Sequence, residues 1–274
     1  MNTLPDAPLS AARLQEFQTS GYLIERGLAD AKTVAAMNAI IADTVNPALA
    51  PVEYEADVHY PGSPVSKNAP GGQTPRRLLN AYARDVVFRD WARSTGVVQR
   101  LEQMLNCQRV MVSQNHHNCI MTKHPGFSSV TSWHQDMRYW SFDEAELVSV
   151  WLALGDETPD NGGLLLIPGS HMLELPRGRL DAALFLRTDI EENQQLIEQA
   201  IPAELSAGDT LFFHCRTFHA ASQNDTDALK RSLVYTYHTP PHLVGAWGLH
   251  EPAQENKQPP QPAGGLPRGR ACPE

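Results

Sequence analysis

His134-Gln135-Asp136 is the single His-x-Asp in a chain of 274 residues. Residues two apart on an extended strand project to the same side, so this imidazole and carboxylate can address one ion. Downstream, the run from Gly208 to His219 (Gly-Asp-Thr-Leu-Phe-Phe-His-Cys-Arg-Thr-Phe-His) offers two further imidazoles, His214 and His219, in a β-rich context. Two histidines and one carboxylate on a β-scaffold make the facial set that holds non-haem Fe(II) and leaves three positions open; zinc accepts the same donors. His214 ends an apolar run, where a histidine satisfied by a backbone group is the commoner fate, and His219 follows a turn. Either can supply the third ligand. Arg231 begins the alternating stretch Ser232 to Tyr237 and can clamp a carboxylate through two parallel bonds.

Such side chains need a rigid frame. Ser10 can cap a helix carrying Leu14 and Phe17 and stopped near Gly21, and Asp30 a second one with Val34, Met37 and Ile41 at helical spacing. Residues 46–75 hold six prolines and three glycines and read as a long loop, a form often used for lids or pocket walls. Helical spacing returns at Val87 and Trp91 and from Val97 to Leu105. From Arg109 onward, short β-rich pieces alternate with turns: Val110–Ser113, Cys119–Lys123, Ser129–Trp133, Leu147–Leu154, Leu164–Ile167, Thr210–Phe213 and Leu233–His238. Many short strands after a helical start predict a sandwich or jelly roll with flanking helices. Residues 171–205 read as a partly helical insertion. The expected organisation is one domain over 1–250, with a helical part at 9–106 and a β core at 108–240. Residues 251–274, with six prolines, are expected to form a flexible tail.

Composition narrows the partners. Lys and Arg total 22 against 31 Asp and Glu, a net charge of −9, the reverse of what phosphate neutralisation by a nucleic-acid binder requires. No apolar run is long enough to span a membrane, and no signal sequence is evident. Cys107, Cys119, Cys215 and Cys272 form no CxxC pair, a pattern suited to reduced cytoplasmic thiols.

Trp133-His134-Gln135-Asp136, then Asp160-Asn161-Gly162-Gly163 leading through Leu164–Ile167 to Pro168-Gly169-Ser170-His171, then Gly208-Asp209, His219 and Arg231 occur in an order that resembles the phytanoyl-CoA dioxygenase family. The resemblance runs from about Leu14 to Tyr237. It implies a mainly β protein with flanking helices around a double-stranded β-helix, the cupin-like jelly roll. It also implies a dioxygenase using Fe(II), 2-oxoglutarate and O2 to hydroxylate or otherwise oxidise an unactivated C–H of a small-molecule metabolite, releasing succinate and CO2. His134, Asp136 and His219 would then be the iron ligands and catalytic centre, and Arg231 would grip the distal carboxylate of 2-oxoglutarate. Trp151, Ser222 and Cys119 match positions beside the cosubstrate, and Asn80 falls near one where relatives carry a cosubstrate-contacting lysine. A cupin-like metal-dependent isomerase or lyase working without 2-oxoglutarate is the alternative; Arg231 and the wider motif set speak against it.

Tyr139, Trp140, Phe142 and His116, with His117, are the candidates to face substrate. Lys123 reads as a solvated strand-end charge. Founding members of the family act on acyl-CoA thioesters, whose phosphates need several cations. Here Arg76-Arg77 and Arg177-Gly178-Arg179 are short basic clusters in an otherwise acidic chain. The expected substrate is a compact free metabolite, a carboxylic acid among the candidates, and not a CoA thioester.

Overall fold

Local capping starts the helical layer as the sequence predicts. In the computed structural model, which describes residues 7–115, 117–139 and 146–240, the Ser10 side chain accepts from Arg13 N to open α1 (Ala11–Ser20). Gly21, at φ +76°, closes that helix in the left-handed conformation that glycine adopts without strain. Strand β1 (Tyr22–Glu25) follows, then α2 (Ala31–Val45), capped by Asp30 and burying Val34, Met37 and Ile41. The remaining elements in chain order are β2 (Val52–Tyr54), β3 (Pro75–Leu79), α3 (Ala81–Arg84), α4 (Val86–Ala92), α5 (Thr95–Met104), β4 (Met111–Val112), β5 (Asn118–Lys123), β6 (Thr131–His134), β7 (Leu147–Ala153), β8 (Leu164–Leu166), α6 (Glu191–Ile197), β9 (Ile201–Pro202), β10 (Thr210–His214), β11 (His219–Ala221) and β12 (Lys230–His238).

Two antiparallel sheets result. The larger runs β1-β10-β7-β12-β5-β3-β2, with β4 also on β12; the smaller runs β6-β11-β8-β9. The N-terminal part is therefore not purely helical: β1, β2 and β3 extend the large sheet at its two ends, and β2 and β3 lie at the ends of what reads in sequence as one long loop. All seven residues of β7 are buried, because its sheet is covered on both faces and an uninterrupted apolar run is then stable. Val148, Val150 and Leu152 pack with the helices beside Met37, Phe88 and Leu101, whereas Trp151 and Ala153 face the inter-sheet space with Leu164, Leu166 and Phe213.

Strand β12 divides the same way. Leu233, Tyr235 and Tyr237 join the helix-side core, and the two tyrosine hydroxyls donate to the α4 carbonyls of Phe88 (3.3 Å) and Ala92 (2.7 Å). Lys230, Ser232, Val234 and Thr236 therefore point between the sheets. On the helix side, Arg100 of α5 is buried and grips Glu25 of β1 through Nε (2.9 Å) and Nη2 (2.8 Å).

Candidate active site

The small sheet brings two histidines together. β11 pairs with β6 so that His219 lies directly opposite His134, with ring centroids 4.2 Å apart. Asp136 opens a short 3-10 turn immediately after β6, and its Oδ1 lies 3.6 Å from His219 Nε2 and 3.9 Å from His134 Nε2. Ligand atoms of the three residues all fall within 4.8 Å of one another, and all three side chains are buried.

The hydrogen bonds around this group orient it. His134 Nδ1 meets Ser132 O at 2.8 Å and His219 Nδ1 meets Thr217 O at 3.0 Å. A carbonyl can only accept, so Nδ1 carries the proton in each ring and both Nε2 lone pairs turn to the common centre. Burial, then the neighbouring His219, holds the His134 imidazolium pKa well below its ordinary value, which keeps the ring in the neutral, donating form. Ser149 Oγ of β7 donates to Asp136 Oδ2 (3.0 Å), and His117 Nδ1 lies 3.4 Å from the same oxygen. Asp136 Oδ1 is buried with no hydrogen-bond partner. A buried carboxylate oxygen left bare between two imidazole lone pairs is a donor set that fits a divalent cation.

His214, the rival third ligand, sits on the opposite face of β10 from Phe213. Its Nδ1 accepts from Arg216 N (3.1 Å), its Nε2 lies 3.6 Å from Glu146, and its ring lies against His171. Phe213 packs edge-on to His219 instead, with centroids 5.0 Å apart.

Beyond the triad the cavity reaches β3, β5 and β12, lined by Arg76, Arg77, Met121, Lys123, Trp151 and Lys230 as well as Glu55 and His117. Arg231 does not line it. The alternation of β12 places Arg231 on the face of Leu233 and Tyr235, toward the helices, and turns Lys230 inward. The cation of β12 that lines the cavity is thus Lys230, one residue before the expected Arg231.

Lys230 Nζ meets Glu157 Oε2 at 3.0 Å and Ser232 Oγ at 3.2 Å, and lies 5.0 Å from the Trp151 ring centre. Lys123, directly opposite Lys230 across β5 and β12, is a pocket residue and not a solvated strand-end charge. Its Nζ donates to the carbonyls of Ser129 (2.9 Å) and Ser222. Gly162 stands at φ +76° against it, where a Cβ would come within 2.5 Å of Lys123 Cδ. Burial first, then the charges of Lys230 and Arg76, bring Lys123 down to about 7. Burial pushes Glu55 up, against the opposing hydrogen bond from Ser129 and the charge of Arg76.

Of the other expected cosubstrate residues, Trp151 lines the cavity. Ser222 turns its hydroxyl to Pro159 O (2.7 Å) and reaches the site only through its backbone carbonyl on Lys123. Cys119 is buried in the inter-sheet core behind Met121, with its Sγ 3.7 Å from Met121 Sδ. Asn80 is exposed at φ +57° ahead of α3, and the cations that strand β3 brings to the cavity are Arg76 and Arg77. Trp140, Phe142 and His116 lie outside the described residues, as does the Tyr139 side chain; His117 is the member of the His116–His117 pair seen to line the cavity.

Sequence reasoning missed Glu157 and Phe185. Phe185 sits in a hairpin of the insertion, closed by the Leu180–Leu186 bridge and joined to β6 by Leu186 N donating to Trp133 O (2.9 Å). Its ring meets His134 edge-on at 5.8 Å and Tyr60 at 5.7 Å, and the Arg138 guanidinium lies 3.5 Å from its centre.

The phytanoyl-CoA dioxygenase (PhyH) family model matches residues 17–232. The chain belongs to this family. It is a non-haem dioxygenase that uses Fe(II), 2-oxoglutarate and O2 on a small molecule. Among PhyH relatives, the chain is 25% identical over 249 residues to an ectoine dioxygenase of Halomonas elongata, covering 85% of this chain and 70% of that one. It is 25% identical over 271 residues to the phytanoyl-CoA dioxygenase domain-containing protein 1 of Bos taurus, covering 85% and 90%. EctD from S. alaskensis, solved with 2-oxoglutarate and 5-hydroxyectoine, superposes with a TM-score of 0.67 at 18% identity over 87% of this chain and 78% of that one. The carbocyclase SnoK of nogalamycin biosynthesis does so at 0.64 and 18% identity, over 86% and 85%. Both likenesses establish the PhyH jelly-roll fold. Among the described residues no helix is long and apolar enough to cross a membrane.

Proposed function

We propose that this chain hydroxylates a compact free metabolite, with iron held by His134, Asp136 and His219 and the distal carboxylate of 2-oxoglutarate received by Lys230 with Lys123 beside it. The observation that carries the reading is the bare Asp136 Oδ1 between two histidines whose Nδ1 positions are already committed. Iron bound there supplies O2 activation coupled to decarboxylation of 2-oxoglutarate, one oxygen atom entering succinate and the other the new C–OH. Ser149 keeps the Asp136 carboxylate turned toward the histidines. Phe213 and Trp151 wall the centre with apolar surface, which excludes water from a reactive site.

The substrate class follows from how the basic residues are spent. Arg76 (3.0 Å) and Arg77 (3.4 Å) both pair with Glu53, and Arg179 is tied to Asn193 at 2.6 Å inside the insertion. Neither cluster is set out as a polyphosphate cradle, which supports a free metabolite over a CoA thioester; the relatives named ectoine dioxygenases support the same size class.

The test is O2-dependent succinate formation by the Fe(II)-loaded protein with and without 2-oxoglutarate, followed by a mass-spectrometric screen of metabolites for the gain of one oxygen. Succinate should appear only with 2-oxoglutarate. Turnover of a metabolite without it would favour the isomerase or lyase alternative. Inhibition by micromolar coenzyme A, but not by free acids, would favour a thioester.

A further inference from the structure

Lys123 and Lys230 are direct cross-strand partners on one face of the large sheet, and both line the cavity. Like charges so placed repel, and burial makes the Lys123 ammonium harder to keep. One carboxylate answers the pair. Glu157 is fully buried; it takes Lys230 Nζ on Oε2 (3.0 Å), Ser232 Oγ on Oε1 (2.6 Å), and Trp151 Nε1 on both oxygens (2.9 and 3.1 Å). Its backbone is pinned by reciprocal bonds with Leu205, at 2.8 and 3.1 Å. Lys123 has only the neutral carbonyls of Ser129 and Ser222, and among the described residues no carboxylate lies within ion-pair distance of it. Of the other charges lining the cavity, Glu55 favours the Lys123 ammonium at longer range and Arg76 opposes it, so the pair with its one contacting carboxylate stays one negative charge short.

We infer that Glu157 is a specificity-setting counter-ion that limits the Lys123–Lys230 site to ligand end groups bearing a single negative charge, a carboxylate rather than a phosphonate or phosphate dianion. This deepens the cosubstrate reading above and rests on it. Glu157 acts through Lys230. By holding that ammonium it weakens the pull on an incoming anion and leaves Lys123 to supply the unanswered charge. Removing the Glu157 charge leaves Lys230 buried without a partner, so an anion then gains the contact that Glu157 had held, and a dianion gains most.

The test is anaerobic calorimetric titration of the Mn(II)-loaded full-length protein with 2-oxoglutarate and with its phosphonate counterpart, in which the distal carboxylate is replaced. Wild type should prefer 2-oxoglutarate. Glu157→Gln should bind 2-oxoglutarate at least tenfold tighter and shift the preference toward the phosphonate by a further tenfold. A phosphonate-to-carboxylate ratio unchanged by Glu157→Gln, whatever the change in 2-oxoglutarate affinity, overturns the inference and leaves Glu157 as a structural brace, since bracing alone does not select charge. If Glu157→Gln does not fold, Lys123→Met decides. It removes the like-charge opposition, so it should melt no lower than wild type in the absence of ligand and bind 2-oxoglutarate at least tenfold more weakly. Unchanged 2-oxoglutarate binding by Lys123→Met overturns the inference. Failure of the wild type to bind 2-oxoglutarate at all overturns the cosubstrate reading itself, a result distinct from wild-type binding with an indifferent Glu157→Gln.

Discussion

His134 and His219 face each other across two antiparallel strands, and each turns its Nδ1 to the carbonyl two residues earlier, Ser132 and Thr217. Both rings are thereby fixed before any ion arrives. Substituting either by Ala is expected to abolish stoichiometric Mn(II) binding, read by paramagnetic resonance of the added metal. His214→Ala should bind Mn(II) as wild type does, because that ring is turned toward Glu146 and His171.

Ser149 is expected to matter without touching the metal. Partners that orient a ligating carboxylate typically carry about 10–100-fold in metal affinity. Ser149→Ala should weaken Mn(II) binding within that range while leaving the melting temperature close to wild type. Unchanged affinity would mean that Asp136 holds its orientation without the hydroxyl.

The anchoring cation can be located by a pair of variants. Removing one partner of a desolvated charge contact costs about 2–5 kcal/mol. Lys230→Ala should therefore raise the 2-oxoglutarate dissociation constant by tens-fold or more. Arg231→Ala, on the helix face of the strand, should leave it within about twofold, and the reverse outcome would restore Arg231 as the anchor.

Much of this site is readable in the sequence, and the one-residue offset between Arg231 and the cavity-lining Lys230 shows where reading stops. The His-x-Asp spacing and the β-rich run to His219 place the triad because a strand's two-residue period is enough to aim both side chains. The same period fails on β12, where Leu233, Val234, Tyr235, Thr236 and Tyr237 are all buried. A strand covered on both faces has no polar side to set its phase. Only the tyrosine hydroxyls, bonded to α4, show which alternate residues look inward. Strand β1 was hidden for a different reason: four residues between a helix cap and a turn carry too little pattern to be told from a loop. Glu157 gives no sequence signal at all, since its partners Lys230, Ser232 and Trp151 are brought to it by the sheet.

Cosubstrate affinity should depend on pH. Lys123 titrates near 7 in the folded chain, well below the ordinary lysine value of 10.5, and the groups gathered around it are Lys230 with Glu157, Arg76 and Glu55. Below pH 7 its ammonium is present to meet an anion, and 2-oxoglutarate stays a dianion down to about pH 5. Affinity should be highest between those limits and fall as pH rises through 7, by up to about tenfold per unit. Lys123→Arg, which keeps its charge, should flatten the profile. The same shift acts on folding: between about pH 7 and 10.5 the unfolded chain holds a proton that the folded chain lacks, so this group makes stability rise with pH across that window.

On the helix side, Glu25→Ala should cost about 3–5 kcal/mol in denaturant unfolding, because it removes the carboxylate that answers the buried Arg100 guanidinium. Metal affinity should be unaffected, since the pair lies across the large sheet from the triad.

The hairpin over 180–186 is anchored to the frame by the backbone bond from Leu186 to Trp133 and by the Leu186 side chain, buried with Trp133 and Phe218, while at its tip Phe185 meets His134 and Arg138. The strands that carry the ligands owe their register to β11, not to this hairpin. The wall above the triad is consequently a cassette exchangeable at its tip, with Leu186 as its anchor. Its tip can be rewritten for a differently shaped molecule while the oxidising machinery beneath is left intact, which gives a protein of this architecture a short route from one metabolite to another.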